Sequence, residues 1–190
     1  MKTRIAVLLV LLAAGCKVQN NAALVIGNMV PGKLQTTTGT TGGACLFDPG
    51  AQEVDFLPLN PAENTGTMGV VVQNQIQATS SVNGILFTDS SMFLPHQAVV
   101  DYEVVGVGAV GSQKVVAVSG ATVPGGGKGS VITPLVPAGS VPATTAPGSV
   151  LRVTFHLEGK LVDGRTVHTT EREYLFVICN GAGCAGNPCL

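Results

Sequence analysis

The sequence predicts an all-β fold, built as a single antiparallel β-sandwich, for three reasons. The chain is rich in Val and Thr and has 25 Gly and 11 Pro among its 190 residues, a composition that favours strands and turns. Apolar and polar residues alternate over residues 151–161, which is typical of a strand with one buried face. No segment after residue 16 has the 3.6-residue apolar period of a helix. These features indicate two packed sheets.

Short strands separated by turn-rich links account for most of the chain after residue 21. The Asp48-Pro49-Gly50 run is a turn signal, and Pro58 restricts its strand to a sheet edge. We also expect residues 131–136 to form an edge strand. Seven to nine strands with such links are typical of an immunoglobulin-like sandwich. The predicted strands are residues 22–30, 45–47, 54–59, 69–76, 98–105, 114–118, 131–136 and 151–161, with loops at residues 31–43, 77–84, 121–129 and 137–148.

The clearest predicted element is a hairpin that begins with the strand at residues 151–161. Asp163-Gly164 supplies two residues that tolerate a positive φ, as a two-residue type I′ turn requires. Such a turn would place Val162 opposite Arg165 and so determine the register of the whole hairpin. Because the hairpin also carries many charged residues, we expect its other face to meet water.

This register predicts which side chains share each face of the hairpin. On the outer face it sets His156 opposite Glu171. Arg172 falls opposite Phe155 on the apolar face, a conflict that a β-bulge or a position at the sheet rim would resolve. The apolar pairs are Val153 with Tyr174 and Leu151 with Phe176.

The N-terminal sixteen residues have the pattern of an export signal. Residues 1–4 include Lys2 and Arg4, and residues 5–14 form an unbroken apolar run. The run is shorter than the about 20 apolar residues that cross a bilayer as a helix. One interpretation of this pattern is an ordinary signal peptide that is cleaved near Ala14 and leaves Cys16 as a spare thiol.

The segment Leu12-Ala-Ala-Gly-Cys16 resembles the lipobox of bacterial lipoproteins, with Ala13 where that family usually has a larger aliphatic residue. The resemblance implies that Cys16 is diacylated and becomes the mature N-terminus. Residues 1–15 would then be the signal peptide, residues 16–21 the lipidated cysteine with a short tether, and residues 22–190 one β-sandwich domain with a cysteine-rich tail. Two or more acyl chains give stable membrane anchoring. Lys17 favours the outer membrane over the inner one.

Cysteine counting agrees with acylation of Cys16. The chain has five cysteines, an odd number for an exported protein, and acylation of one leaves an even set. Disulfides are the default in an oxidising compartment. A zinc site is the alternative, but the tail spacing is wider than the usual C-x₂-C pair. Three pairings are possible, and we expect one long link into the tail and one small loop. The predicted disulfide cysteines are Cys45, Cys179, Cys184 and Cys189.

Two glycine-rich motifs resemble nucleotide sites but lack essential parts. The run at residues 106–111 fits G-x-G-x-x-G, yet strand-like residues follow it where a helix N-terminus should meet the pyrophosphate. At residues 124–130, Lys128 is followed by Gly129 and not by Ser or Thr, as a phosphate loop requires. We therefore predict no cofactor and interpret both runs as surface bends.

Charge and composition argue against two classes of binding site, one for nucleic acid and one for sugars. Removal of Lys2 and Arg4 with the signal reduces ten basic residues to eight, against eleven acidic ones, so the mature net charge is −3. This balance argues against a nucleic-acid partner. The chain has no Trp and two Tyr residues, Tyr102 and Tyr174, which disfavours an aromatic sugar platform.

Three hypotheses about the function of the protein remain. We expect a non-enzymatic module that is held at the membrane by its lipid anchor and binds or scaffolds another envelope protein. The alternatives are a soluble-ligand receptor and an enzyme whose site is assembled from loops. No catalytic or metal-binding motif is intact, and His156 with Glu171 is the best candidate for a hidden site.

Overall fold

The computed structural model describes residues 23–35, 44–60, 66–76, 90–142 and 144–180. Thirteen β-strands occur within these ranges, more than the predicted seven to nine, and no helix occurs there, as the sequence predicts. The strands are β1 (Leu24–Pro31), β2 (Lys33–Gln35), β3 (Ala44–Leu46), β4 (Phe56–Leu59), β5 (Thr67–Asn74), β6 (Phe93–Val104), β7 (Gly108–Ala109), β8 (Lys114–Ala117), β9 (Ser119–Gly120), β10 (Lys128–Pro134), β11 (Val150–Leu161), β12 (Thr166–His168) and β13 (Arg172–Ile178).

Two sheets pack against each other in a sandwich-like arrangement. The four-stranded sheet has the order β1-β5-β10-β9. The seven-stranded sheet has the order β4-β13-β11-β6-β7, with β12 also paired to β11 and β8 also paired to β6. A separate hairpin consists of β2 and β3. After β1 the chain forms the separate hairpin, and it then passes between the sheets after β4, after β5, after β8 and after β10, so each sheet combines strands from distant parts of the sequence.

The apolar core lies between the two sheets. Val70 and Val131 of the four-stranded sheet and Phe155 of the seven-stranded sheet belong to one buried cluster. Every second residue of β11, from Leu151 to Leu161, is buried, which confirms the predicted alternation. A buried Phe side chain contributes roughly 1.5–3 kcal/mol relative to an exposed one, so β11 contributes strongly to folding.

Strand pairing departs from the expected sandwich in two places. All ladders but one between described strands are antiparallel, the exception being the parallel ladder of β13 and β4. The expectation that residues 131–136 form an edge strand is wrong, because β10 lies between β5 and β9. Pro134, which has no N–H for a ladder, stands at the last position of β10, where the loss of a donor costs least.

The turn after β11 contains three residues and not the predicted two. Leu161 N–H donates to the carbonyl of Arg165, so these two residues are opposite each other. Val162, Asp163 and Gly164 form the turn, and Gly164 has a φ of 90°. Three-residue turns of this kind end in a left-handed residue, which explains why glycine occupies the third position and not the second.

A bulge between β12 and β13 restores the predicted register of β13. Glu158 pairs with His168, and Phe155 pairs with Arg172, so three steps on β11 correspond to four on the partner. The extra residue lies between Thr169 and Glu171. The predicted pairs of Val153 with Tyr174 and of Leu151 with Phe176 are therefore confirmed.

The sequence predicts Arg172 on the apolar face of the hairpin. Its side chain leaves that face at the rim of the sheet. Its Nη2 lies 3.0 Å from both carboxylate oxygens of Glu53. The side chain is partly exposed, so the charge keeps contact with water. Its Nε is buried and has no hydrogen-bond partner in the structure. The bulge leaves Arg172 opposite Phe155, and the partly exposed position beside Glu53 resolves the conflict that the sequence contained.

Strand β6 is longer than predicted because a second bulge bends its first part onto β11. The ladder pairs Glu158 with Gln97 but Gly159 with Pro95, so His96 is the extra residue. A Cβ at Gly159 would collide with the backbone of Leu94. The close approach of these two backbones therefore requires glycine at this position.

Candidate functional site

The outer face of the seven-stranded sheet carries several charged side chains that pair across neighbouring strands. Arg152 Nη1 lies 3.0 Å from Glu103 Oε2, and its Nε lies 3.9 Å from Glu173 Oε2. Gln113 Nε2 donates to Asp101 Oδ2 at 2.9 Å. These pairs join neighbouring strands of an exposed face, where each contributes roughly 0.2–1 kcal/mol. They make the face polar without forming an enclosed reaction site.

All three histidines of the chain lie around Glu158 at one end of this face. His156 Nε2 is 3.5 Å from Glu158 Oε1, and His168 is the cross-strand partner of Glu158. The imidazole rings of His156 and His168 meet edge to face, with centroids 5.6 Å apart. His96, in the bulge of β6, is near enough to act electrostatically on Glu158. We call His96, His156, His168 and Glu158 the histidine patch.

The predicted pairing of His156 with Glu171 is wrong. Glu171 lies in the bulge between β12 and β13, and the β11 ladders do not include it. His156 instead pairs with Val99 of β6 and contacts His168 and Glu158. A shallow depression of about 310 Å³ still has His156, His168 and Glu171 on its walls. The bulge caused the error, because it leaves Glu171 outside the two ladders that it separates.

Glu158 is the carboxylate of the histidine patch and is held by a hydrogen bond across the strands. Its Oε2 accepts a hydrogen bond from Gln97 Nε2 at 2.6 Å. This bond lowers the pKa of the Glu158 carboxyl below its ordinary value, and the neighbouring His156 and His96 act in the same direction. The carboxylate is therefore negatively charged at neutral pH. Sequence reasoning missed this centre, because the turn length and the bulge that assemble it leave no periodic signal.

An apolar turn projects from the opposite end of the same sheet. Val107 N–H donates to the carbonyl of Val104, and Gly106 has a φ of 84°, as a type II turn requires. Val105 is 45% exposed and Val107 is 79% exposed, the highest value among the large apolar side chains described. We call the segment 104–108 the distal turn. The sequence predicts a surface bend at residues 106–111 but does not single out these valines.

The distal turn lies far from the point at which the chain enters the domain. The carbonyl of Leu24 accepts a hydrogen bond from Thr170, and the adjacent Thr169 is bonded to Leu157 of β11. Val104, where the distal turn begins, pairs with Leu151 of the same strand. Six residues of β11 therefore separate the two positions, which corresponds to ~20 Å along the sheet. The entry point and the distal turn are at opposite ends of the sandwich.

A larger depression lies beside the entry point. It measures about 570 Å³, and its walls combine apolar side chains with Arg165 and His168. Its volume is within the range of roughly 300–1,000 Å³ that small-molecule sites occupy. The remaining wall residues are Ala23, Ile76, Leu161, Thr166 and Val167.

The predicted cysteine sites fall only partly within the described residues. Cys45 lies in β3, and Cys179 directly follows β13. Cys16, Cys184 and Cys189 lie outside the described residues, so lipidation of Cys16 and the pairing of the other four stay predictions.

The other sequence candidates have structural roles. Residues 106–111 form a bend between β6 and β8, and no helix follows the bend, so it lacks the element on which a dinucleotide fingerprint depends. Tyr102 is buried, and its hydroxyl donates to the carbonyl of Leu135 at 2.8 Å and not to solvent. Tyr174 donates in the same way to Val54.

The described ranges were compared with the requirements of a metal site and of a membrane-spanning helix. No group of three or more His, Cys, Asp or Glu side chains in these ranges is arranged to hold a metal ion. No described helix has the length and apolar character needed to cross a membrane.

Comparison of the chain with protein-family models, with curated proteins and with solved structures finds no match.

Proposed function

We propose that the protein is a non-enzymatic binding or scaffolding module of the bacterial cell envelope, anchored by acylated Cys16 in the outer membrane. The observation that carries the proposal is the position of the distal turn, ~20 Å along the sheet from the point at which the chain enters the domain. A tether at residues 16–21 would keep the entry end near the lipid. Val105 and Val107 would then face away from the membrane, toward a protein partner.

The chemistry of the distal turn supports a protein partner. Apolar side chains that protrude into water favour burial against a complementary surface, at about 25 cal/mol per Å² of apolar area removed from water. Val107 carries this argument, because its side chain is the most exposed large apolar group described. We also propose that the fold belongs to the immunoglobulin-like class. The support is that the chain contributes strands in turn to two sheets that face each other.

The test of binding compares two valines in turns at opposite ends of the domain. After cross-linking in intact envelopes, Val107→Asp should abolish capture of the partner obtained with the wild-type protein. Val162→Asp, in the turn at the entry end, should leave capture unchanged, since Val162 is exposed to a similar degree as Val105. Equal capture by both variants would reject the distal turn as the binding surface.

The test of anchoring is independent of the partner. Metabolic labelling with a fatty acid should tag the wild-type protein, and Cys16→Ala should remove the tag and release the protein from the membrane fraction. An untagged wild-type protein that begins at another residue would show that Cys16 is not acylated.

The depression beside the entry point supports a second candidate, a soluble-ligand receptor. Its volume of about 570 Å³ and its mixed apolar and polar walls suit a small organic molecule. Val167→Trp would fill part of this space. A receptor should show ligand-dependent melting that Val167→Trp abolishes and Val107→Asp does not.

A further inference from the structure

We propose that His156 and His168 together bind one divalent transition-metal ion of the borderline class, such as Cu²⁺ or Zn²⁺. Imidazole nitrogen is the commonest protein ligand for these ions. The two rings come from neighbouring strands, on the same outer face, and their centroids are 5.6 Å apart. The site is independent of the proposed partner surface, which lies at the other end of the sheet.

The spacing of the rings suits a shared ion. A metal–nitrogen bond is ~2.0–2.1 Å long, so the centroid of a bound imidazole lies about 3 Å from the metal. Two imidazoles on one ion at ordinary coordination angles therefore have centroids roughly 5–6 Å apart. The observed separation falls in this range, so small side-chain rotations would bring both rings onto one ion.

The backbone prepares His168 as a ligand. Its Nδ1 lies 3.2 Å from the carbonyl oxygen of Thr169. A carbonyl oxygen only accepts hydrogen bonds, so this contact assigns the proton to Nδ1 and leaves the lone pair on Nε2. Histidine ligands of metals typically donate their second ring N–H to such an acceptor, which orients the ring.

The charges around the two rings favour a cation. Glu158 lies 3.5 Å from His156, and Glu171 lines the same depression. Because the described residues contain no arranged group of three or more donors, the proposal is limited to two protein ligands. Water, or a donor from a partner molecule, would complete the coordination. Two-ligand sites are correspondingly weaker than closed structural ones.

The chain offers a control, since His96 is its only other histidine and lies in the bulge of β6, outside the ladder. Full-length protein in detergent, purified without reductant, is titrated with Cu²⁺ and followed by calorimetry and electron paramagnetic resonance. One Cu²⁺ per chain with nitrogen ligands is expected. His156→Asn and His168→Asn should each lower the affinity at least about tenfold, whereas His96→Asn should change it less than twofold. Binding that survives both substitutions, or that falls equally in the His96 variant, would overturn the proposal.

A second measurement needs no variant and so does not depend on folding of the mutants. In proton NMR spectra of the wild-type protein, substoichiometric Cu²⁺ should broaden two of the three histidine imidazole signals before the third. Each signal is assigned by correlation spectra of the isotopically labelled wild-type protein. Preferential broadening of the His96 signal, or equal broadening of all three, would reject the site.

Discussion

At the scale of single residues, the two tyrosines show how burial changes chemistry. Tyr102 and Tyr174 are both almost fully buried, and each hydroxyl donates to a backbone carbonyl. Burial disfavours the charged phenolate and raises the pKa of both side chains, and for Tyr174 the carboxylates of Glu53 and Asp55 act in the same direction. No other tyrosine exists in the chain.

The first prediction follows from these raised pKa values. A pKa raised in the folded state contributes stability that is fully present below the ordinary tyrosine pKa of ~10 and is lost as pH rises above it. In a spectrophotometric titration, tyrosinate absorbance should therefore appear only together with loss of the β-type circular dichroism. Ordinary titration near pH ~10 in a protein that keeps its full ellipticity would show that a hydroxyl is accessible.

At the scale of elements, the contact between β6 and β11 depends on one missing side chain. A Cβ at Gly159 would collide with the backbone of Leu94 and lie 2.5 Å from Phe93 Cε2. A backbone cannot move away cheaply in the centre of a ladder, so the strands would have to separate locally. Gly27 in β1 is different, because a Cβ there would make only an ordinary 3.5 Å contact with the carbonyl oxygen of Val71.

The second prediction compares these two glycines. Gly159→Ala should destabilise the protein by about 1–3 kcal/mol through overpacking. Gly27→Ala should change the free energy of unfolding by less than about 0.5 kcal/mol or increase it slightly, since alanine reduces the entropy of the unfolded chain. Urea unfolding followed by circular dichroism measures both. Similar losses for the two variants would contradict the close approach of β6 and β11.

The third prediction concerns the alternation along β11. Phe155→Ala should cost about 3–5 kcal/mol, because it removes a fully buried ring from the shared core. Thr154→Ala, on the outer face of the same strand, should cost less than about 1 kcal/mol. Chemical denaturation of both variants tests the assignment of faces, and a reversed order of stabilities would refute it.

At the scale of the whole molecule, an early segment and a late segment of the chain meet at one edge of the seven-stranded sheet. Strand β4 and strand β13 form the parallel ladder at one edge, and Cys179 N–H bonds to the carbonyl of Leu59 just beyond it. Cys45 lies in the small hairpin of β2 and β3, outside both main sheets. A covalent link between these early and late segments would prevent both from fraying.

The fourth prediction is that Cys45 is joined to one of the three tail cysteines and that the other two close a small loop. In chain-entropy models the long link contributes on the order of 4–5 kcal/mol, because it restricts most of the unfolded chain. Mass spectrometry of peptides from unreduced protein should identify both bonds, and reduction should lower the melting temperature. Four free thiols, or a stoichiometric zinc ion bound by them, would refute the prediction.

The sequence by itself determined the all-β class, the position of most strands and the inward face of β11. Period-2 alternation, proline and glycine are local signals, and burial of one strand face follows from them wherever a second sheet is available. The same signals explain why residues 106–111 carry turns around a short strand and are not followed by a helix. Asp163-Gly164 located the hairpin turn but not its length, since two- and three-residue turns both accept glycine with a positive φ.

Only the tertiary structure decided which strands pair and which polar side chains meet. The parallel ladder of β4 with β13 and the interior position of β10 join segments that are far apart in sequence, so no local pattern encodes them. The histidine patch depends on the three-residue turn, which sets the register of β12, and on the bulge at His96, and each of them shifts the side chains that follow by one residue. A one-residue shift reverses the faces of a strand. Sequence periodicity therefore predicted that His156 points outward but could not predict which side chains it contacts.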